Sequence, residues 1–225
     1  MRVILFGATG MVGQGVLREC LLDEGVEAVL SVGRRSTGRE EPKLSELVLE
    51  DLHDYSRVAD KLASYDACFF CLGVTSAGMA EPEYRRVTRD IPAAAAKVLA
   101  EKNPGMTFII VTGRGTDSTG KSSVMWSRVK GEAENAVFAL PFKGKYAFRP
   151  GVIQPLHGIT SRTAAYRVFY VLLGWIIPIL RALSPDSITT TERVGRAMLN
   201  VARRGYSTQV LESKDINLAA AMTGA

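Results

Sequence analysis

Short, almost wholly apolar runs alternate through the first two thirds of the chain with stretches whose apolar residues recur every three or four positions. "RVILFG", residues 2–7, is the first run and is predicted to be a strand. "MVGQGVLRECLLDEG" follows and places Val12, Val16, Leu17, Cys20 and Leu21 on one helical face, with Gly25 as the stop. Further strands are predicted at "EAVLSVG" (27–33), "SELVLED" (45–51), "DACFFCLG" (66–73), "MTFIIVTG" (106–113) and "KYAFRPG" (145–151). Helices are predicted at "DYSRVADKLASY" (54–65), "EPEYRRVTRDIPAAAAKVLAEKN" (81–103) and "SSVMWSRVKGEAENAVFAL" (122–140). The second of these should bend or break at Pro92, which lacks the N–H that a continuous helix uses.

Strands apolar on both faces and separated by helices belong in a parallel sheet covered on both sides, because each crossover helix must bury its stripe. The predicted fold is therefore α/β, a doubly wound Rossmann-type sheet of six to seven strands. After Gly151 the pattern turns helical, at about 162–183 and 189–204, with one short strand near "TQVLE". No linker separates the two parts. Residues 151–225 are read as a small, mostly helical cap on a 1–150 core, within a single domain of 225 residues.

Between the first strand and helix lies "GATGMVG", with Gly7, Gly10 and Gly13 spaced three apart. Glycines there permit a tight turn and a close approach of backbone to a pyrophosphate. Thr9, Met11 and Val12 complete a helix start whose N–H groups face outward. Where a carboxylate would follow the second strand to meet the ribose diol of NAD, the chain has Arg34 and Arg35, a pair suited to a 2′-phosphate and hence to NADP(H). Asp51 and Leu52, after the third strand, are placed to meet an adenine amine and cover its ring. Leu72, Gly73 and Val74, after the fourth, are placed against the adenosine ribose.

Composition narrows the field. Lys plus Arg exceed Asp plus Glu by five, but the basic residues come in scattered pairs without aromatic interleaving, which argues against a nucleic-acid partner. Cys20, Cys68 and Cys71 do not suggest a disulfide framework. Cys68 and Cys71, three apart on a strand, should point to opposite faces, so no redox pair and no metal site are expected. The longest apolar run, Val168–Leu180, has thirteen residues, short of the roughly twenty of a spanning helix. It is read as a helix buried all round; a homodimer face or a shallow contact with a membrane surface are the alternatives. With no secretory leader apparent, the default location is cytoplasmic.

"FGATGMVG", "VGRRS", "CLGVT", "VTGRGTD", "SRVKGEAE" and "FRPGV", in that order over about residues 1–155, resemble the atypical and extended short-chain dehydrogenase/reductases. The likeness is greatest to the branch of NADP(H)-binding, Tat-interacting-protein-like oxidoreductases. The resemblance implies a Ser or Thr that polarises a substrate carbonyl, a Tyr that moves the proton, and a Lys four residues on that holds the nicotinamide ribose. By that likeness Lys130 is the lysine, Thr112 the hydroxyl, with Gly113 where Ser often stands, and Pro150 packs near the nicotinamide. The tyrosine position holds Trp126, whose indole N–H is a donor without an accessible conjugate base. Three readings remain open. An oxidoreductase acting on a small or lipophilic carbonyl or alcohol could take its proton from Tyr166, Tyr170, Tyr84 or water. A protein could bind NADP(H) and report its state to a partner. Or the position could simply pack a core. His157, beyond Pro155, is read as a bystander, and Thr190 or Thr191 as a helix cap with Glu192 in the first turn.

Overall fold

The computed structural model describes residues 1–160 and 186–222. Seven parallel strands form the main sheet: β1 (Arg2–Phe6), β2 (Ala28–Gly33), β3 (Leu44–Val48), β4 (Ala67–Phe70), β5 (Thr107–Val111), β6 (Gly144–Arg149) and, far along the chain, Val210–Glu212. Spatially that last strand lies beside β6, giving the order β3-β2-β1-β4-β5-β6 and then 210–212. The order reverses at β1, so the loops after β1 and β4 open between them the crevice in which doubly wound sheets take their ligands.

Alternation along β1 shows why the sheet needs two covering layers. Val3 and Leu5 face one layer, Ile4 and Phe6 the other, and all four are inaccessible to solvent. On the first side lies α1 (Met11–Leu22). On the second lie α3 (Ile91–Lys102) and α4 (Met125–Phe138). Phe6, Phe70, Phe108 and Phe142 run in file beneath that second layer, with successive ring centroids 5.0, 6.1 and 5.1 Å apart. Cys68 belongs to one layer while Cys71 packs on the other with Cys20, as the strand periodicity requires.

Two helices differ from expectation. Over 54–65 only a single 3₁₀ turn forms, Ala59–Leu62. The Asp54 carboxylate accepts from the Ser56 N–H at 2.9 Å, a local turn that competes with helix, and Tyr55 and Leu62 alone bury fully. Over 81–103 the interruption precedes Pro92: α2 (Glu81–Arg85) widens into a π-turn at Arg86–Asp90 before α3 begins. Proline cannot donate to the carbonyl four residues back, and the wider turn absorbs the loss.

Beyond Gly151, β7 (Val152–Gln154) pairs in parallel with β8 (Ile188–Thr190) as a separate ribbon. Next come α5 (Thr191–Arg204), β9 (Val210–Glu212) and α6 (Ser213–Ala220). The Thr190 hydroxyl accepts from the Arg193 N–H at 3.0 Å and caps α5, with Glu192 in the first turn. Helix α5 lies on α1 at glycine spacing: a Cβ on Gly15 would sit 2.6 Å from Thr191 Cβ, and one on Gly195 would sit 2.7 Å from Glu19 Cγ. The described part of the cap is thus built into the sandwich, supplying an edge strand and most of one helical layer. Helix α6 was not expected; Glu212 and Asp215 bond reciprocally across its start, a capping box. The predicted helix at 162–183, with Val168–Leu180, Tyr166 and Tyr170, lies outside the described residues. None of the described helices is long and apolar enough to cross a membrane.

Candidate coenzyme site

The turn after β1 is made by glycines that the fold cannot replace. Gly7 has φ +80°, and a Cβ there would lie 2.6 Å from Leu72 N and 2.8 Å from Cys71 O. At Gly13 a Cβ would be 2.0 Å from Gly7 O. Backbone therefore packs directly on backbone, as the glycine fingerprint requires. Gly10 begins α1 with no side chain bonded to the helix start, and its N–H donates to Gly7 O at 2.9 Å. Thr9, Met11 and Val12 line this helix start, half-buried, and Thr9 O accepts from Gln14 Nε2 at 3.2 Å. The turn has the shape and the polarity for a diphosphate.

Because Gly7 touches Leu72 and Cys71, the segment after β4 is fixed against the glycine turn. Gly73 and Val74 are exposed there, and a Cβ on Gly73 would meet nothing within 4 Å. On the other flank Phe6 pairs in register with Val32, which brings Gly33, Arg34 and Arg35 to the same edge. Both arginines are exposed, and neither makes an ion pair among the described residues. Asp51 is exposed too, but its carboxylate already accepts from the His53 N–H at 2.9 Å and contacts His53 Nδ1 at 2.7 Å. Those hydrogen bonds, the backbone one first, hold its pKa below the ordinary carboxylate range. Leu52 departs from expectation. Its side chain is 2% exposed, within the core of the second layer, so it cannot cover an adenine ring.

At the far end, Thr112, Gly113, Trp126, Lys130 and Pro150 meet. Lys130 Nζ donates to Thr112 O at 2.7 Å and lies 5.5 Å from the centroid of the Trp126 ring, a cation–π contact. Gly113 has φ +147°; a Cβ there would lie 3.2 Å from Lys130 Nζ and 3.9 Å from Pro150 O. The ammonium occupies the space that a side chain at Gly113 would need. Burial lowers the Lys130 pKa, with Glu134 opposing.

The Thr112 hydroxyl turns away from this group and donates to Glu134 Oε1 at 2.6 Å. Glu134, one helical turn beyond Lys130, is wholly buried. Its carboxylate also accepts from Ser118 Oγ at 2.7 Å, from Arg149 Nε at 2.9 Å and from Arg149 Nη2. Sequence reading passed over Glu134, Ser118 and Arg149. A signal was present: two opposite charges, Glu134 in an apolar helix face and Arg149 ending an apolar strand, are tolerated in buried places chiefly as partners. His157 Nε2, on the loop after β7, lies 2.8 Å from Glu192 Oε2.

Two surface concavities, of about 570 and 430 Å³, lie on the helical side, lined by Arg85, Arg89 and Glu132 and by Ala93, Lys97 and Leu140 respectively. They are open hollows between helices, and none of the residues predicted for the site lines them.

No family model matches the chain. It is 32% identical over 153 residues to Protein HTATIP2 of Rattus norvegicus, a match covering 67% of this chain and 62% of that protein, so the chain spans less than two thirds of that relative. It is 25% identical over 215 residues to Protein fmp52, mitochondrial, of Emericella nidulans, covering 92% and 90%. Among solved structures, an oxidoreductase of the short-chain dehydrogenase/reductase family from Burkholderia thailandensis has TM-score 0.65 at 15% identity, covering 97% of this chain and 92% of that one. Gre2 of Candida albicans in complex with NADPH has TM-score 0.69 at 14% identity, covering 94% and 77%. At such identities the structures speak for the fold alone. The chain has the Rossmann-type fold of these dehydrogenase/reductase structures and is similar in sequence to HTATIP2 and to the fmp52 proteins. One expectation is corrected. The cytoplasmic default does not hold, since several fungal relatives are named mitochondrial. It rested on a search for an apolar secretory run, which a mitochondrial address does not need.

Proposed function

We propose that the chain binds NADP(H) across the carboxyl edge of its sheet and acts as an oxidoreductase on a small or lipophilic carbonyl or alcohol. The observation that carries the binding is the glycine cradle, where a Cβ on Gly13 would stand 2.0 Å from Gly7 O and the helix start carries no capping side chain. Gly7, Gly10 and Gly13 take the diphosphate, with Arg34 and Arg35 on the 2′-phosphate and Leu72, Gly73 and Val74 along the adenosine ribose. The Asp51 carboxylate, with about four acceptor sites and two taken by His53, keeps room for an adenine amine. Lys130 and Pro150 serve the nicotinamide end. When bound, the coenzyme supplies or accepts the hydride at the substrate's carbonyl carbon. This chain then owes one proton per turnover. Trp126 cannot shuttle it, the Thr112 hydroxyl is committed to Glu134 and Tyr84 is buried in the core, so within this reading the proton comes from water or from Tyr166 or Tyr170, which lie outside the described residues.

Those same facts favour a second reading, an NADP(H)-binding regulatory protein without turnover. Calorimetry with NADPH and NADH tests binding, and NADPH consumption with aldehydes, ketones and quinones tests turnover. The enzyme reading expects consumption that Lys130→Ala abolishes. The regulatory reading expects tight binding, no consumption in the native protein and none gained in Trp126→Tyr. Absence of heat with either coenzyme removes both.

A further inference from the structure

The nicotinamide end is assembled from three separate elements, and one buried carboxylate touches each. Glu134 stands one turn beyond Lys130 on α4. Its Oε1 holds the Thr112 hydroxyl that follows β5, at 2.6 Å. Both its oxygens hold Arg149, the last residue of β6, immediately before Pro150. Ser118, from the loop that wraps α4, supplies the remaining donor at 2.7 Å and also accepts from Arg149 Nη2 at 2.6 Å. Four donors fill the roughly four acceptor sites of a carboxylate, so the buried charge is both neutralised and saturated.

Thr112 is thereby held at two points. Its hydroxyl donates to Glu134 and its carbonyl accepts from Lys130 Nζ at 2.7 Å. A peptide carbonyl fixed through the neighbouring side chain can hold an ammonium in one direction; left free, it would turn with the loop. We propose that Glu134 is a positioning residue: through Thr112 it sets the carbonyl on which the Lys130 ammonium rests, and through Arg149 it sets the strand end that presents Pro150. Thr112 is then part of this support, and its hydroxyl does not face substrate. The role in turnover rests on the coenzyme reading above; the positioning itself does not.

The charged groups around Lys130 are few. Glu134 is on its own helix and Arg149 on the facing strand; Arg114 follows β5, and Glu212 pairs in register with Arg149 on β9. Glu134 is the one that acts to keep the ammonium protonated.

Competitive acetylation of the full chain across pH, with the Lys130 peptide followed by mass spectrometry, reads the amine directly and needs no coenzyme. In Glu134→Gln the pH of half-labelling of Lys130 should fall by about half a unit or more, since a negative charge four residues away is removed. In Thr112→Val, which keeps the Glu134 and Arg149 pair, labelling at neutral pH should rise about threefold or more as the carbonyl loosens, and Thr112→Ser should restore it. If Glu134→Gln does not fold, judged by circular dichroism, the Thr112 pair decides alone. A Thr112→Val profile that matches the native protein overturns the proposal, as does a folded Glu134→Gln with an unmoved midpoint. NADPH calorimetry on the same samples separates the two ideas. Native protein that gives no heat sinks the coenzyme reading while the labelling still judges the support.

Discussion

The two ends of the carboxyl edge are built on different principles. At the turn after β1 the contacts come from backbone, and residue identity is set by what must be missing. Gly7 and Gly13 lie so close to Leu72, Cys71 and each other that any side chain collides with main chain. At the end of β5 the contacts come from side chains: the Lys130 ammonium rests beside the Trp126 ring and on the Thr112 carbonyl, and the Thr112 hydroxyl serves Glu134. A cradle made of backbone resists substitution because the sheet itself suffers. A reaction centre made of side chains can be altered without that penalty, so coenzyme binding and proton chemistry need not change together.

The largest effect should come from breaking the first end. Gly13→Ala places a methyl on the Gly7 carbonyl and should cost about 3 kcal/mol or more, since neither backbone segment can withdraw. For a chain of this size that is a fall of roughly 6–12 °C in Tm, with coenzyme binding lost. A variant of native Tm that still binds NADPH would mean that the turn yields, and the contrast would dissolve. Next, replacing Arg34 and Arg35 together with alanine should weaken NADPH about tenfold or more and leave NADH within about twofold, because only the 2′-phosphate distinguishes them. Calorimetry with both coenzymes reads this. Smaller still, Trp126→Leu should remove the cation–π contact with Lys130 and cost about 0.5–1 kcal/mol, visible in urea unfolding.

The smallest effect is a pH response at the second end. Asp117, in the loop that leads into α4, is held down to about 2 by hydrogen bonds from the Thr119 hydroxyl, the Thr119 N–H and the Ser122 N–H. Its folded pKa lies below the ordinary 3.8, so the folded state binds fewer protons in between. The stabilisation is present above about pH 4 and is lost as pH falls through about 2. Hydrogen exchange at the Ser122 amide should quicken over that window, whereas Asp117→Asn should show fast exchange throughout. The glycine turn, with no titrating group in its own backbone contacts, should keep a constant protection relative to the intrinsic exchange rate across the same range.

The same contrast decides what the sequence made legible. Backbone requirements leave a strict record: the spacing of Gly7, Gly10 and Gly13, the apolar runs of β1, β4 and β5, and the hydroxyl at Thr190 all mark real elements. Partnerships between side chains distant in sequence leave a faint one. Nothing local says that Thr112 will turn toward Glu134, or that Arg149 will reach back fifteen residues to the same carboxylate. Leu52 differs from expectation for a related reason: which of two neighbouring loop residues turns into the core is set by the packing of the second layer, not by the local sequence. The π-turn before Pro92 and the lone 3₁₀ turn at 59–62 reflect competition between local hydrogen bonds and helix, which periodicity does not register.

The small ribbon of β7 and β8 has a consequence of its own. Val152–Gln154 and Ile188–Thr190, far apart in sequence, lie side by side as two strands paired directly with each other. That pair shares no rung with the seven-stranded ladder, so a substitution that loosens Val152–Gln154 or Ile188–Thr190 would leave every hydrogen bond of the main sheet in place.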